Sequence, residues 1–320
     1  MKRTRTAAVV AAVALLATPL QAWDNFGHMV VAGVAYRQLD ATAKARVNAL
    51  LALNPYFQTK WPSQIPSGTS SADRAMMIFM LAATWADAIK SDSHYHNDGA
   101  NGGDSPTGPE ATRNTGYDDF NRHKYWHFID LPFSQDDTSV STFQVPSPNA
   151  QTQVAVFRGV LSSTSAADPL KSYDLVWLLH LIGDVHQPLH SSDRLSSLHP
   201  QGDAGGNDVV LCGATATTCG GKLHAFWDDI LGAGSLSAAN QFAAGITPPA
   251  LPASDVANAR RWINESLGLA EGSVYVPPVG ANDGPFRATA DYTSSAQALA
   301  RVRVALAGAR LAAVLKSDLR

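Results

Sequence analysis

Apolar residues recur along this chain at the spacing of buried helix faces, and the strand-like alternation of period two is scarce. The first pattern runs from Trp23 as a helix through Val31 and Tyr36, with His28 on its polar side. Asp40 then caps a helix over Ala41 to Leu53, whose Val47, Leu50 and Leu51 face inward and which Asn54-Pro55 ends. Ser71 opens one long segment, ADRAMMIFMLAATWADAIK, reaching Lys90; its Met and Phe stripe reads as core. Further helices are predicted over 147–166, 174–185, 255–270 and the Ala-rich 300–315, where small side chains let helices approach closely. Between them, residues 91–120 form a Gly/Asn/Asp/Pro-rich loop and 191–204 a polar one. The pattern predicts an all-α fold, a single compact domain of packed helices, with no internal repeat and apolar content ample for a large core.

The opening residues differ in character. MKRTR precedes the apolar run AAVVAAVALLA, too short to cross a bilayer, and TPLQA follows, so residues 1–22 read as a secretory signal cut after Ala22. Export predicts a secreted or periplasmic protein comprising residues 23–320. Losing Lys2, Arg3 and Arg5 leaves 21 Lys and Arg against 27 Asp and Glu, a net charge of −6. Such a chain does not grip duplex DNA through a basic surface. Its two cysteines, Cys212 and Cys219, enclose a short Gly/Ala/Thr loop, and an oxidising compartment predicts a disulfide closing a small hairpin.

The residues that carry chemistry gather in HLIGDVHQPLH, 180–190. His180 and Asp184 lie one helical turn apart on one face and can grip one ion. Gln187-Pro188 then turns the chain, returning His190 beside that face. LHAFWDD repeats the spacing with His224 and Asp228. Imidazole and carboxylate donors without thiolates suit catalytic zinc. His94 and His96, alternating within irregular chain, read as solvated loop residues, and His123, His186 and His199 as bystanders.

With WDNFGH at the start of the exported chain, these motifs resemble the secreted zinc-dependent single-strand nucleases of fungi and plants, whose three-zinc fold is shared by bacterial zinc phospholipase C. The resemblance runs from Trp23 to about Leu315. It implies that the terminal amine and carbonyl of Trp23 chelate zinc, an α-amine of pKa about 7.7 to 8.0 yielding its proton to a metal more readily than a lysine. It implies nine ligands for three Zn2+ ions: Asp87, His127, His180 and Asp184 for one; His190, His224 and Asp228 for the second; and Trp23, His28 and Asp184 for the third, Asp184 bridging two ions. It also places Lys90 on the substrate phosphate, Phe128 as a base-stacking ring, Asp130 as a base-edge acceptor and Asn207, in GGND, beside the reacting group. The catalytic set implied is Asp184, Lys90 and Asn207.

The expected activity is endonucleolytic hydrolysis of single-stranded DNA and RNA to 5'-phosphomononucleotides, with 3'-nucleotides as further substrates and no stable protein partner. Two other readings use the same residues. A phospholipase C would have a greasier cleft rim and no base pocket at Phe128 and Asp130, and a non-catalytic zinc protein would hydrolyse no phosphodiester.

Overall fold

In the computed structural model, which describes residues 23–319 apart from 100 and 257, eleven α-helices carry the architecture. They are α1 (Asn25–Gln38), α2 (Ala41–Leu51), α3 (Tyr56–Thr59), α4 (Ser71–Ala82), α5 (Trp85–Ala88), α6 (Ala150–Ser162), α7 (Asp168–Asp184), α8 (Leu223–Asp228), α9 (Leu236–Ala244), α10 (Ala259–Leu269) and α11 (Ala290–Asp318). The signal-peptide reading of 1–22 lies outside the described residues. No described helix is long and apolar enough to cross a membrane.

α7 is the axis of the fold. Every residue from Lys171 to Asp184 is buried, as expected of a helix covered on all sides. α6 packs along one flank, α2, α5 and α11 contact it, and α1 reaches its C-terminal half. α1 is itself clasped between α9 and α11. Two glycines permit that approach: a Cβ on Gly308 would stand 2.5 Å from Val34 Cγ1, and one on Gly33 would stand 2.8 Å from Ala243 Cβ. All seven tryptophans are buried; the rings of Trp85 and Trp126 pack edge-on against Trp177 in mid-α7, with centroids 5.9 and 5.0 Å away.

The caps explain where helices begin. Asp40 accepts from the Ala43 amide at 2.8 Å, as the sequence predicts. Asn149 and Thr152 form a reciprocal capping box that starts α6 at Ala150, so α6 is shorter than the expected 147–166. α7 starts at Asp168, six residues before the expected 174, because Pro169 suits a first helical turn. α10 begins four residues late at Ala259, behind an Asn258 cap, and α11 is far longer than 300–315, starting at a Thr289 cap. His28 is fully buried, so α1 has no solvent-facing polar side at that position.

The largest departure lies in 71–90. The expected continuous helix breaks at Ala83-Thr84, where Thr84 Oγ1 donates back to the Leu81 carbonyl at 2.9 Å. The break leaves the Ala83 carbonyl to accept from His180 Nδ1 at 2.7 Å. A continuous helix would spend that carbonyl on its own ladder. What periodicity reads as one helix is two, separated by an acceptor that orients a histidine.

Strand content is small. β1 (Pro132–Ser134) pairs in parallel with β2 (Asp193–Leu195), and β3 (Leu211–Cys212) with β4 (Phe286–Arg287). The Cys212–Cys219 disulfide is present, and an antiparallel bridge between Val210 and Lys222 closes the base of its loop. The predicted hairpin therefore exists, although the regular partner of β3 comes from the distant 286–287 segment.

Candidate metal centre and substrate cleft

The last turns of α7, the end of α5, the 3-10 turn Lys124–His127, the 3-10 turn Pro188–Ser191 and α8 converge at one end of the bundle. Together with α1 they carry the side chains that sequence singled out. Asp184 is the meeting point. Its Oδ1 lies 3.2 Å from His28 Nε2, while its Oδ2 lies 3.1 Å from His127 Nδ1 and 3.3 Å from His180 Nε2. One carboxylate thus presents each oxygen to a different set of imidazoles, the arrangement a bridging ligand requires.

Donor atoms gather in three groups, each with its members within 4.8 Å of one another: His28, Asp87 and His180; His127, His180 and Asp184, which shares His180 with the first; and the separate set His190, His224 and Asp228. All of these residues are buried. Asp87 Oδ1 stands 3.6 Å from His180 Nε2 and 3.8 Å from His127 Nδ1, and His28 stacks on His180 with ring centroids 3.7 Å apart. In the third group His190 Nε2 and His224 Nε2 are 3.1 Å apart, with Asp228 oxygens 3.8 and 3.4 Å from them.

Backbone carbonyls set the histidine tautomers. Nδ1 of His180, His190 and His224 points to the carbonyls of Ala83, His127 and Gly205, at 2.7, 2.9 and 2.7 Å. A proton held there leaves each Nε2 lone pair aimed into its cluster, as metal-ligating imidazoles require. Gln187 performs the matching task for a carboxylate, its Nε2 donating to Asp228 Oδ1 at 2.7 Å. Sequence reasoning took Gln187 only as part of the helix stop. His186, one residue earlier, turns away: Nδ1 meets the Ile182 carbonyl and Nε2 meets Arg310 Nη1 at 2.9 Å.

The donor set fits divalent cations on a second count. Both nitrogens of His28, Nε2 of His127, Oδ2 of Asp87 and Oδ1 of Asp184 are buried without any hydrogen bond among the described residues. Buried polar atoms are rarely left so. Burial lowers the cluster imidazoles, His28 and His224 to about 4 and His127, His180 and His190 well below their ordinary value. It raises the carboxyls of Asp184 and Asp228 well above theirs. Neutral imidazoles are ready ligands, and a cation entering would displace protons from those carboxyls.

Trp23 sits against this centre. Its indole Nε1 donates to the Gly183 carbonyl at 3.1 Å, and its ring is fully buried. Gly183 is required here, because a Cβ would stand 2.8 Å from His28 Nδ1. We expect Gly183→Ala to displace His28 and to weaken metal retention and turnover roughly 10- to 100-fold, the usual scale for disturbed ligand support. Chelator competition and kcat would check it, and unchanged values would mean that His28 holds no ion.

The centre opens into a cleft of about 620 Å³ lined by Lys90, His127, Phe128, Asp130, His190, Asn207 and His224 among others. Lys90 Nζ contacts Asp87 Oδ1 at 2.7 Å, Phe128 is half-buried, and Asn207 donates to the Ala204 carbonyl at 2.7 Å. Sequence gave no role to the long loops, yet Asp104 and Ser105 of the first and Gln201, Gly202 and Ala204 of the second line this cleft. His94, by contrast, is exposed beside Asp92. His123 is buried between Asp98 and Asp119 and stacked on Trp126 at 3.6 Å, tying the first loop down away from the clusters.

Burial together with the Asp203 charge pushes the Asp130 carboxyl up to about 7. Such a group takes up a proton on folding; its contribution is complete below the ordinary carboxylate range and is lost as pH rises through about 7. We expect Asp130→Asn to raise Tm relative to the parent by clearly more at about pH 8 than at about pH 5, because the penalty for burying the carboxyl grows between its ordinary value and about 7. Thermal denaturation at both pH values checks this, and an equal Tm difference at both would show that Asp130 ionises freely in the fold.

No curated protein matches this chain. A family model described as S1/P1 nuclease matches residues 23–320, which takes in both His-x3-Asp pairs, the cleft and the closing helix α11. On that match this chain, with its buried histidines and aspartates gathered under one cleft, belongs to the S1/P1 nucleases, a family of metal-dependent phosphodiesterases.

Proposed function

We propose that the protein is an exported zinc-dependent nuclease that cleaves single-stranded DNA and RNA to 5'-phosphomononucleotides and also dephosphorylates 3'-nucleotides. The observation that carries this reading is Asp184, whose two oxygens face separate imidazole sets, one of them including His127, which lines a cleft together with an aromatic ring and a lysine. Three zinc ions would be held by the nine residues named above, Trp23 through its free amine once the leader is removed. Divalent cations there supply Lewis acidity toward a phosphoryl group and acidify water.

The chain's own residues do the rest. Lys90, braced against Asp87, sets a positive charge where charge grows on the phosphate oxygens. Asn207, fixed through Ala204, offers a side-chain amide to the same group. Phe128 stacks a base and Asp130 meets its edge. Only an unpaired base can be splayed onto such a ring, which explains single-strand preference. The cleft is lined with Lys90, Lys124, Asp104, Asp130 and Asn207, which suits a polyanion better than lipid chains.

The test is elemental analysis of exported protein, coupled with assays on matched single-stranded DNA, RNA, 3'-nucleotides and phosphatidylcholine. Zinc near three per chain with nucleotide release supports the reading. Lipid turnover without nucleotide release would favour phospholipase C, and inertness of zinc-loaded protein on every phosphodiester would favour a non-catalytic role.

A further inference from the structure

We infer that Lys124 is a polynucleotide-specific contact that holds the phosphate next to the one being cleaved, gated by Asp104 from the long loop 91–120. The inference rests on the nuclease reading of the same cleft. Lys124 opens the 3-10 turn Lys124–His127. In such a turn, side chains three apart eclipse on one face, at a rise of about 2 Å per residue. Lys124 therefore stands on the face of the turn that carries His127, roughly 6 Å along it, and both line the cleft. That offset is comparable with the spacing of neighbouring phosphates in an extended strand. The residue after His127 is Phe128, so reacting centre, stacking ring and second cation follow one another along a single segment of chain.

The ammonium group is not committed to the fold. Its ion-pair partner is Asp104, at 3.5 Å, a distance beyond a good hydrogen bond; the two side chains are 28% and 51% exposed. Lys90, by contrast, is 6% exposed and held at 2.7 Å by Asp87. One lysine is fixed beside the metal centre, and the other lies at the mouth, where a strand must pass. A phosphate arriving there would exchange the Asp104 carboxylate for a phosphate oxygen on Lys124. Asp104 competes with the strand and keeps the cleft mouth near neutrality when it is empty. The loop that carries Asp104 is itself held by His123 through Asp98 and Asp119, so the gate has a rigid base.

The predicted signature is a split between substrates. A dinucleoside monophosphate has a single phosphodiester and nothing to place on Lys124, whereas a ten-nucleotide strand fills both positions. Lys124→Ala should reduce kcat/KM on the longer strand roughly threefold to tenfold more than on the dinucleotide, through KM. It should also lower the steepness of log affinity against log salt by about 0.7, the value for one phosphate contact on a single strand. Asp104→Asn should move KM on the longer strand the opposite way. Affinity measured on chelator-treated protein with a labelled ten-nucleotide strand reads the same contact without turnover. Equal effects on both substrates, an unchanged salt slope, or Asp104→Asn weakening the long strand would overturn the inference. A protein that hydrolyses neither substrate would instead count against the nuclease reading, while the salt slope would still decide for or against Lys124.

Discussion

Replacing Asp184 by Asn should cut kcat on the order of 10³-fold or more and strip the protein of tightly held metal, whereas replacing His186 by Ala should leave kcat of the folded enzyme close to the parent. The two residues are neighbours in one motif, yet their surroundings differ. Asp184 gives one oxygen to His28 and the other to His127 and His180, so a neutral amide removes charge from both sides at once. The amide nitrogen would also face imidazole lone pairs that need a cation. His186 instead bonds the Ile182 carbonyl and Arg310, inside a buried network in which Arg310 also pairs with Asp255 and Glu265. Its loss leaves a guanidinium hydrogen short of an acceptor in the interior and should lower stability by roughly 1 to 3 kcal/mol. Turnover per folded molecule, metal content and urea midpoint together separate the two effects. The reverse order in turnover would mean that the motif has been misread.

That contrast shows what a sequence discloses about such a site. The i, i+4 pairs His180–Asp184 and His224–Asp228 are legible because helical geometry is local, and each pair does share a face in the fold. The convergence of His28, Asp87 and His127 on Asp184 depends on α1, α5 and a 3-10 turn packing against α7, and no periodicity contains that information. Resemblance to known nucleases supplied it. The residues that neither route found are of two kinds. Gln187 and the Ala83 carbonyl act through hydrogen bonds to cluster members, and nothing in their types or neighbours announces it. Asp104 owes its place to a loop whose sequence shows only polarity and Gly/Asn turn chemistry, and Lys124 to the 3-10 turn Lys124–His127, whose cleft-facing side no periodicity marks. Helix ends followed the same rule. Those set by a local cap, such as Asp40, were readable, while the break at Ala83-Thr84 exists for a histidine almost a hundred residues away.

A version of the protein made in the cytoplasm, carrying a methionine ahead of Trp23, should be folded but nearly inactive, and its metal content should fall by one ion per chain. The indole of Trp23 is anchored on the Gly183 carbonyl, the Asp24 amide bonds the Asp228 carbonyl at 3.2 Å, and Asp24 caps α1 through the Gly27 amide at 2.9 Å. These contacts, made by Trp23 and Asp24 themselves, hold Trp23 beside the turn that carries Asp184, whichever residue precedes it. What an added residue changes is the nitrogen. Free, it is an amine of pKa about 7.7 to 8.0 with a lone pair available once deprotonated; acylated, it is an amide with none. Melting temperature in the presence of chelator should therefore match between the two forms, since the packing is common to both. Added zinc should raise it more in the form that begins at Trp23, in proportion to the extra site. Proteolytic removal of the added methionine should restore turnover without refolding. Full activity and full zinc content with the methionine still attached would remove Trp23 from the metal centre and leave its indole as a packing element alone.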